Sequence, residues 1–158
     1  MKVGVLGLQG DVREHVRALD STGVAAGIVK RADELADVEA LVIPGGESTT
    51  IGKLLDRFDL IEPLKERIAG GMPTFGTCAG LILMACAITG DEEVPHRLDV
   101  LDITVRRNAY GRQVDSFETE LVVRGADGPI RAVFIRAPVV EAVGDEVEVL
   151  AVCDDRPV

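Results

Sequence analysis

The first half of the chain alternates between two hydrophobic periods. Lys2 to Leu8 carries a continuous apolar run, the pattern of a strand covered on both faces. Gln9-Gly10 turns the chain. Asp11 is then placed to cap a helix through about Thr22, with Val12, Val16 and Leu19 on one face. Ala25 to Lys30 reads as a second strand, Ala32 to Val38 as a short helix, and Glu39 to Ile43 as a third strand closed by Pro44-Gly45-Gly46. Ser48 or Thr49 is expected to cap a helix carrying Ile51, Leu54, Leu55 and Phe58. A further helix covers Ile61 to Ala69 and stops at Gly70-Gly71. Pro73 to Gly76 reads as a short strand, and Ala79 to Ala87 as an apolar helix.

Strand and helix in turn predict a doubly wound, mostly parallel sheet flanked by helices, an α/β fold of the flavodoxin-like type. The second half differs. Val100 to Arg107, Phe117 to Val123, Ala132 to Arg136 and Val147 to Val152 read as strands separated by Gly, Asp and Pro turns, which predicts a small antiparallel annex. No repeat or interdomain linker interrupts the pattern, so residues 1–158 are expected to form a single domain.

Composition narrows the picture. Aromatic residues make up only 3% of the chain, so the core rests on Val, Leu, Ile and Ala. Seventeen basic against 27 acidic residues give a net charge of -10, a surface that repels phosphate backbones and argues against nucleic-acid binding. The N-terminal apolar run is too short for a signal peptide, and no stretch reaches the length of a membrane span. With three cysteines and no Cys-x-x-Cys pair, the expected compartment is a reducing cytoplasm. Gly4-x-x-Gly7-x-x-Gly10 is not the dinucleotide pattern, and no His, Cys and carboxylate cluster has metal-ligand spacing; no cofactor or metal is expected.

The stretch richest in chemistry is Thr74-Phe75-Gly76-Thr77-Cys78-Ala79-Gly80. Cys78 falls between a short strand and an apolar helix in a Gly-x-Cys-x-Gly frame, the strand-turn-helix elbow that projects a nucleophile from a sheet's carboxyl end. Gly76 and Gly80 allow strand and helix to pack closely around it. The helix N-terminus favours the thiolate, and the backbone N–H of Ala79 is placed to stabilise an oxyanion. A lone cysteine is more often a small buried hydrophobe; the frame at a strand-helix junction favours the nucleophile. Cys86, on the apolar helix, and Cys153, at a strand end, lack the frame and read as structural.

Pro44-Gly45-Gly46-Glu47-Ser48-Thr49-Thr50 also joins a strand to a helix. Ligands of open parallel sheets sit beyond the carboxyl ends of the strands, so this loop and Cys78 are expected to share one crevice. Gly45 and Gly46 can offer backbone N–H groups to a carboxylate or an oxyanion.

Several blocks together resemble one family. They are Gly-Leu-Gln-Gly-Asp-Val-Arg-Glu-His (7–15), Pro-Gly-Gly-Glu-Ser-Thr-Thr (44–50), Phe-Gly-Thr-Cys-Ala-Gly-Leu (75–81), Arg-Asn-Ala-Tyr-Gly-Arg-Gln-Val-Asp-Ser-Phe-Glu (107–118) and Val-Phe-Ile-Arg-Ala-Pro (133–138). In order and nearly end to end, they resemble the glutaminase subunits of pyridoxal 5'-phosphate synthase, within the class I glutamine amidotransferases. The resemblance implies hydrolysis of L-glutamine to glutamate and ammonia, and delivery of the ammonia to a separate (β/α)8-barrel synthase subunit for vitamin B6 biosynthesis. It makes Cys78 the nucleophile and gives the oxyanion-hole amides to Gly46 and Ala79. It places Gly46, Glu47, Ser48, Arg107, Ile135 and Arg136 around the glutamine. Gln9-Gly10 is a candidate contributor to synthase docking.

One departure stands out. The family carries its acid-base histidine and partner glutamate in a His-Pro-Glu motif near the C-terminus, and these 158 residues hold no such motif. His15 reads as a helix-face residue, and His96, in a Pro-His-Arg loop, has no carboxylate visibly arranged to orient it. The expectation is that the C-terminal segment is absent from this stretch, and that the 158 residues alone have negligible glutaminase activity. Competing readings are another class I amidotransferase or cysteine hydrolase, a catalytically dead regulatory subunit of the synthase, and a redox or chaperone protein with a reactive cysteine.

Overall fold

The computed structural model describes residues 1–90, 94–107, 117–135 and 137–158. They divide into two compact units: residues 1–85 with 94–100, and the rest of the chain from residue 86 onward.

The first unit is built on four parallel strands, β1 (Lys2–Leu6), β2 (Ala25–Val29), β3 (Ala40–Ile43) and β4 (Thr74–Gly76), in the order β2-β1-β3-β4. Residues alternate across a strand, and here both faces are covered. Val3, Val5 and Val42 point to one side, where Val12, Val16 and Leu19 of helix α1 (Val12–Ser21) pack against them, as the periodicity predicts. On the other side Gly4 leaves no room for a side chain: a Cβ there would lie 2.8 Å from a Val29 methyl. Each fully buried Val or Leu contributes roughly 1.5–3 kcal/mol, so an open four-stranded sheet needs the continuous apolar runs seen in the sequence. Helices α2 (Ala32–Ala36), α3 (Ser48–Arg57), α4 (Ile61–Ala69) and α5 (Ala79–Met84) complete the alternation. The stop after α4 is at Gly70, followed by Gly71 at φ 91°.

Three local expectations change. Asp11 precedes α1 but its side chain makes no capping hydrogen bond. The residue capping α3 is Glu47, not Ser48 or Thr49: its carboxylate accepts from the amides of Thr49 (2.9 Å) and Thr50 (2.7 Å). Ser48 is already the first helical residue and is buried. Helix α5 ends at Met84 instead of Ala87. The carbonyls of Leu83 and Met84 are taken by the amides of Leu98 (2.8 Å) and Val100 (2.9 Å), so they are not left to extend the helix. Ala85 turns to the extended conformation with ψ 138°, and the chain enters a strand. An uninterrupted apolar run does not distinguish a buried helix from a buried strand.

The second unit contains a three-stranded sheet, β5 (Ala85–Thr89), β6 (Leu101–Arg106) and β9 (Val139–Val143), in the order β5-β6-β9. Strands β6 and β9 are antiparallel with a bulge after Thr104. A separate antiparallel pair, β7 (Phe117–Leu121) and β8 (Ile130–Phe134), stacks Phe117 on Phe134 with centroids 4.7 Å apart. Leu121, Phe134, Ala151 and Cys153 form its buried cluster. Strands β10 (Val152–Cys153) and β11 (Arg156–Pro157) close a two-residue hairpin through Asp154 and Asp155, both at positive φ, the mark of a primed turn. The antiparallel annex is thus present, but the strand expected over Val147 to Val152 is confined to β10. A further strand, β9, is present that the hydrophobic pattern does not announce. The bulge sets Ala142 and Val140 against Thr104 and Val105, so Glu141 is the extra residue that breaks the alternation a strand is read by. Cys86 accordingly lies exposed on β5, not on a helix, while Cys153 is buried at its strand end.

Candidate active site

Three loops of the first unit meet at the carboxyl ends of β1, β3 and β4. The central one is the turn from β4 into α5. Thr77 donates its amide to Ile43 O (3.0 Å), and its own carbonyl accepts from Gly80 N (2.8 Å). Between them Cys78 adopts φ 49° and ψ -102°, close to the roughly +60°, -120° of the first central residue of a type II′ turn, a place that favours glycine. A cysteine held there costs about 1–3 kcal/mol. The bend leaves Cys78 exposed while Ala79 and Gly80 are buried. The flanking glycines are needed for space. A Cβ on Gly76 would come within 2.7 Å of the Gly80 carbonyl carbon, and one on Gly80 within 2.1 Å of Ile43 O.

The loop after β3 lies against the same bend. A Cβ on Gly45 would be 3.6 Å from Cβ of Cys78 and 3.3 Å from Asp11 Oδ2. Gly45 and Cys78, predicted to share a crevice, are therefore in contact distance. The loop after β1 is hydrogen-bonded to the same segment. Asp11 N donates to Gly45 O (3.0 Å), and Glu47 N donates to Gln9 Oε1 (2.9 Å). Because the peptide is trans, a Gly45 carbonyl aimed at Asp11 turns the Gly46 N–H in the opposite direction.

The Glu47 carboxyl is strongly shifted. Partial burial works to raise its pKa, but the Thr50 hydroxyl at 2.6 Å and the Thr49 and Thr50 amides outweigh it and hold the carboxyl at about 2. It is anionic throughout the neutral range.

The sequence places His15 on a helix face. Its Nδ1 lies 2.8 Å from Asp11 O and its Nε2 3.2 Å from Thr77 Oγ1, next to the nucleophile candidate. No one-dimensional pattern signals this, because Thr77 is 62 residues away. For His96 the structure supplies a partner that the sequence did not: Asp56 Oδ1 stands 3.2 Å from Nδ1. Arg107 follows β6 and Ile135 follows β8; both belong to the second unit. Arg136 and residues 108–116 lie outside the described residues. A groove of about 430 Å³ bounded by Gly7, Leu8, Lys30, Arg31, Glu34 and Phe58 lies beyond β1 and β2 and does not include Cys78. Among the described residues no helix is long and apolar enough to cross a membrane, and no cluster of side chains has the arrangement of a metal site.

A 2-1-3-4 parallel sheet with a cysteine at a strand-helix elbow, and a glycine loop against it, has the architecture of the class I glutamine amidotransferases. A crystal structure described as a glutamine amidotransferase superposes with a TM-score of 0.92 at 50% identity, over 99% of this chain and 82% of that one. The sequence matches the SNO glutamine amidotransferase family over residues 5–157, and the chain belongs to that family. It is 61% identical to the pyridoxal 5'-phosphate synthase subunit PdxT of Parafrankia sp. (strain EAN1pec), over 99% of this chain and 78% of the relative. It is 56% identical to the protein of the same name from Geobacillus thermodenitrificans (strain NG80-2), over 99% and 79%.

Proposed function

We propose that this chain is the glutaminase subunit of a pyridoxal 5'-phosphate synthase, hydrolysing L-glutamine at Cys78 and passing ammonia to a barrel-shaped synthase subunit. The observation that carries the reading is the exposed Cys78 at φ 49° with the Gly45 backbone against it. The Cys78 thiolate adds to the side-chain amide carbon of glutamine, forming a C–S bond and a tetrahedral oxyanion. Backbone amides of Gly46 and Ala79 receive that charge. The C–N bond then breaks, ammonia leaves with a proton, and water hydrolyses the thioester to glutamate. The family resemblance assigns Glu47, Ser48, Arg107, Ile135 and Arg136 to the glutamine site. Glu47, anionic and fixed by the first turn of α3, suits the glutamine ammonium group. Protonation of the leaving nitrogen calls for a histidine, which the family carries in His-Pro-Glu; these 158 residues hold no such motif. The cytoplasm, where free glutamine and reduced thiols coexist, is the compartment that fits.

The test is labelling with a diazoketone analogue of glutamine, followed by peptide mass spectrometry, with ammonia release measured alongside in the presence of the synthase subunit. Modification confined to Cys78 and blocked by glutamine is expected, with turnover abolished in Cys78→Ala. Labelling at Cys86 instead, or turnover that survives Cys78→Ala, overturns the reading. Binding to the synthase without any turnover by the complete protein identifies a regulatory subunit instead.

A further inference from the structure

The proposed mechanism uses neither His15 nor Thr77, yet the two connect every loop of the site. Asp11 N donates to Gly45 O at 3.0 Å, and Asp11 O lies 2.8 Å from His15 Nδ1. His15 Nε2 lies 3.2 Å from Thr77 Oγ1, and Thr77 N donates to Ile43 O at 3.0 Å. Ile43 and Gly45 are two residues apart on one loop. The contacts therefore form a closed circuit through the β3 loop, the start of α1 and the turn that holds Cys78.

Chemistry fixes the direction of each bond. A carbonyl oxygen only accepts, so Nδ1 of His15 carries the hydrogen. The neutral ring then has a bare Nε2, which accepts the Thr77 hydroxyl proton. If the ring gains a second proton, Nε2–H donates to a lone pair on the same hydroxyl, and the link persists. It is a geometric link, not a charge-dependent one. Thr77 immediately precedes a residue held in a conformation that favours glycine, and a bend of that kind persists only where its surroundings over-determine it.

We propose that His15 is a positioning residue for the amidotransferase reaction: through Thr77 it holds the strained bend at Cys78 in register with the Gly45-Gly46 backbone. This rests on Cys78 being the nucleophile. Loosening the bend displaces the sulfur relative to both the amide carbon and the oxyanion amides. Misplacement of about 1 Å costs on the order of 100-fold in rate.

The experiment measures ammonia release by the complete protein with its synthase subunit for His15→Asn, Thr77→Val, Thr77→Ser and the His15→Asn/Thr77→Val pair. Cys78→Ala and a thermal melt of each variant serve as controls. His15→Asn and Thr77→Val are expected to lower kcat by roughly 10- to 100-fold with KM changed less than about threefold. Thr77→Ser keeps the hydroxyl and is expected to stay near wild type. The double variant is expected to lose no more than the worse single one, because both break one link. Turnover unchanged in His15→Asn and Thr77→Val overturns the proposal while leaving Cys78 as nucleophile. So does a Thr77→Ser defect as large as that of Thr77→Val, or a loss that follows the folded fraction in the melt. Turnover that survives Cys78→Ala removes the underlying functional reading instead.

Discussion

Gly80 and Ile43 approach so closely that a Cβ on Gly80 would stand 2.1 Å from the Ile43 carbonyl oxygen. Two effects oppose each other in Gly80→Ala. Alanine is the better helix former by about 1 kcal/mol, but the added methyl must displace main chain, which typically costs about 1–3 kcal/mol. The backbone neighbour cannot rotate aside as a side-chain end would, so the clash wins. We expect Gly80→Ala to be destabilised by about 1–2 kcal/mol and to lose most of its turnover, as read by urea denaturation and ammonia release. A variant as stable as wild type would mean that α5 slides freely along the sheet.

That contact also marks what a sequence can disclose. The Gly-x-Cys-x-Gly frame announced a close approach, and the 3.6-residue spacing of Val12, Val16 and Leu19 announced the buried face of α1. Both are local rules of spacing. The cap of α3 was misassigned because Ser48 and Thr49 are better cap formers than glutamate in general, and only the fold shows the Glu47 carboxylate folded back on two amides. Strand β9 was hidden by its bulge at Glu141. His15 was unreadable in principle, since its role depends on a partner 62 residues away.

Strain at Cys78 predicts a trade between activity and stability. Glycine adopts φ 49° and ψ -102° without the roughly 1–3 kcal/mol that cysteine bears, but the more flexible residue loses about 0.5–1 kcal/mol in unfolded-chain entropy. Cys78→Gly is therefore expected to gain about 1 kcal/mol of stability while losing all turnover. For a chain of this length that is roughly 2–4 °C in Tm. A Cys78→Gly protein that melts below wild type would show that the bend is relaxed.

The clamp between the first two loops predicts a contrast between two glycines. Gly10 sits at φ 104° with a virtual Cβ 1.8 Å from Gly45 O, whereas Gly23, at φ 77°, has nothing within 4 Å. Gly23→Ala bears only the cost of a left-handed backbone, roughly 1–2 kcal/mol. Gly10→Ala adds a collision with main chain and is expected to lose about 3 kcal/mol or more, with loss of turnover that Gly23→Ala does not share. Denaturation midpoints and ammonia release for the pair check this. Equal effects at both positions would remove the clamp.

Glu47 predicts how the fold answers to acid. Its folded pKa, about 2, is below the ordinary 4.5, so the folded state binds the proton less tightly than the unfolded chain. The resulting stabilisation is fully present above pH 4.5 and is lost as pH falls from there through about 2. Glu47 is an exposed residue whose carboxylate is only partly shielded, so solvent screening reduces its effect to that of an ordinary helix cap, about 1 kcal/mol. Glu47→Gln keeps the shape and an acceptor oxygen but removes the titration. The stability gap between wild type and Glu47→Gln is expected to be about 1 kcal/mol at neutral pH and to close towards pH 2, followed by urea titrations at fixed pH. Because Glu47 is also assigned to the substrate ammonium, the same variant is expected to raise KM for glutamine at neutral pH. A gap that stayed constant from neutral pH to about 2 would show that the α3 amides do not hold the charged form.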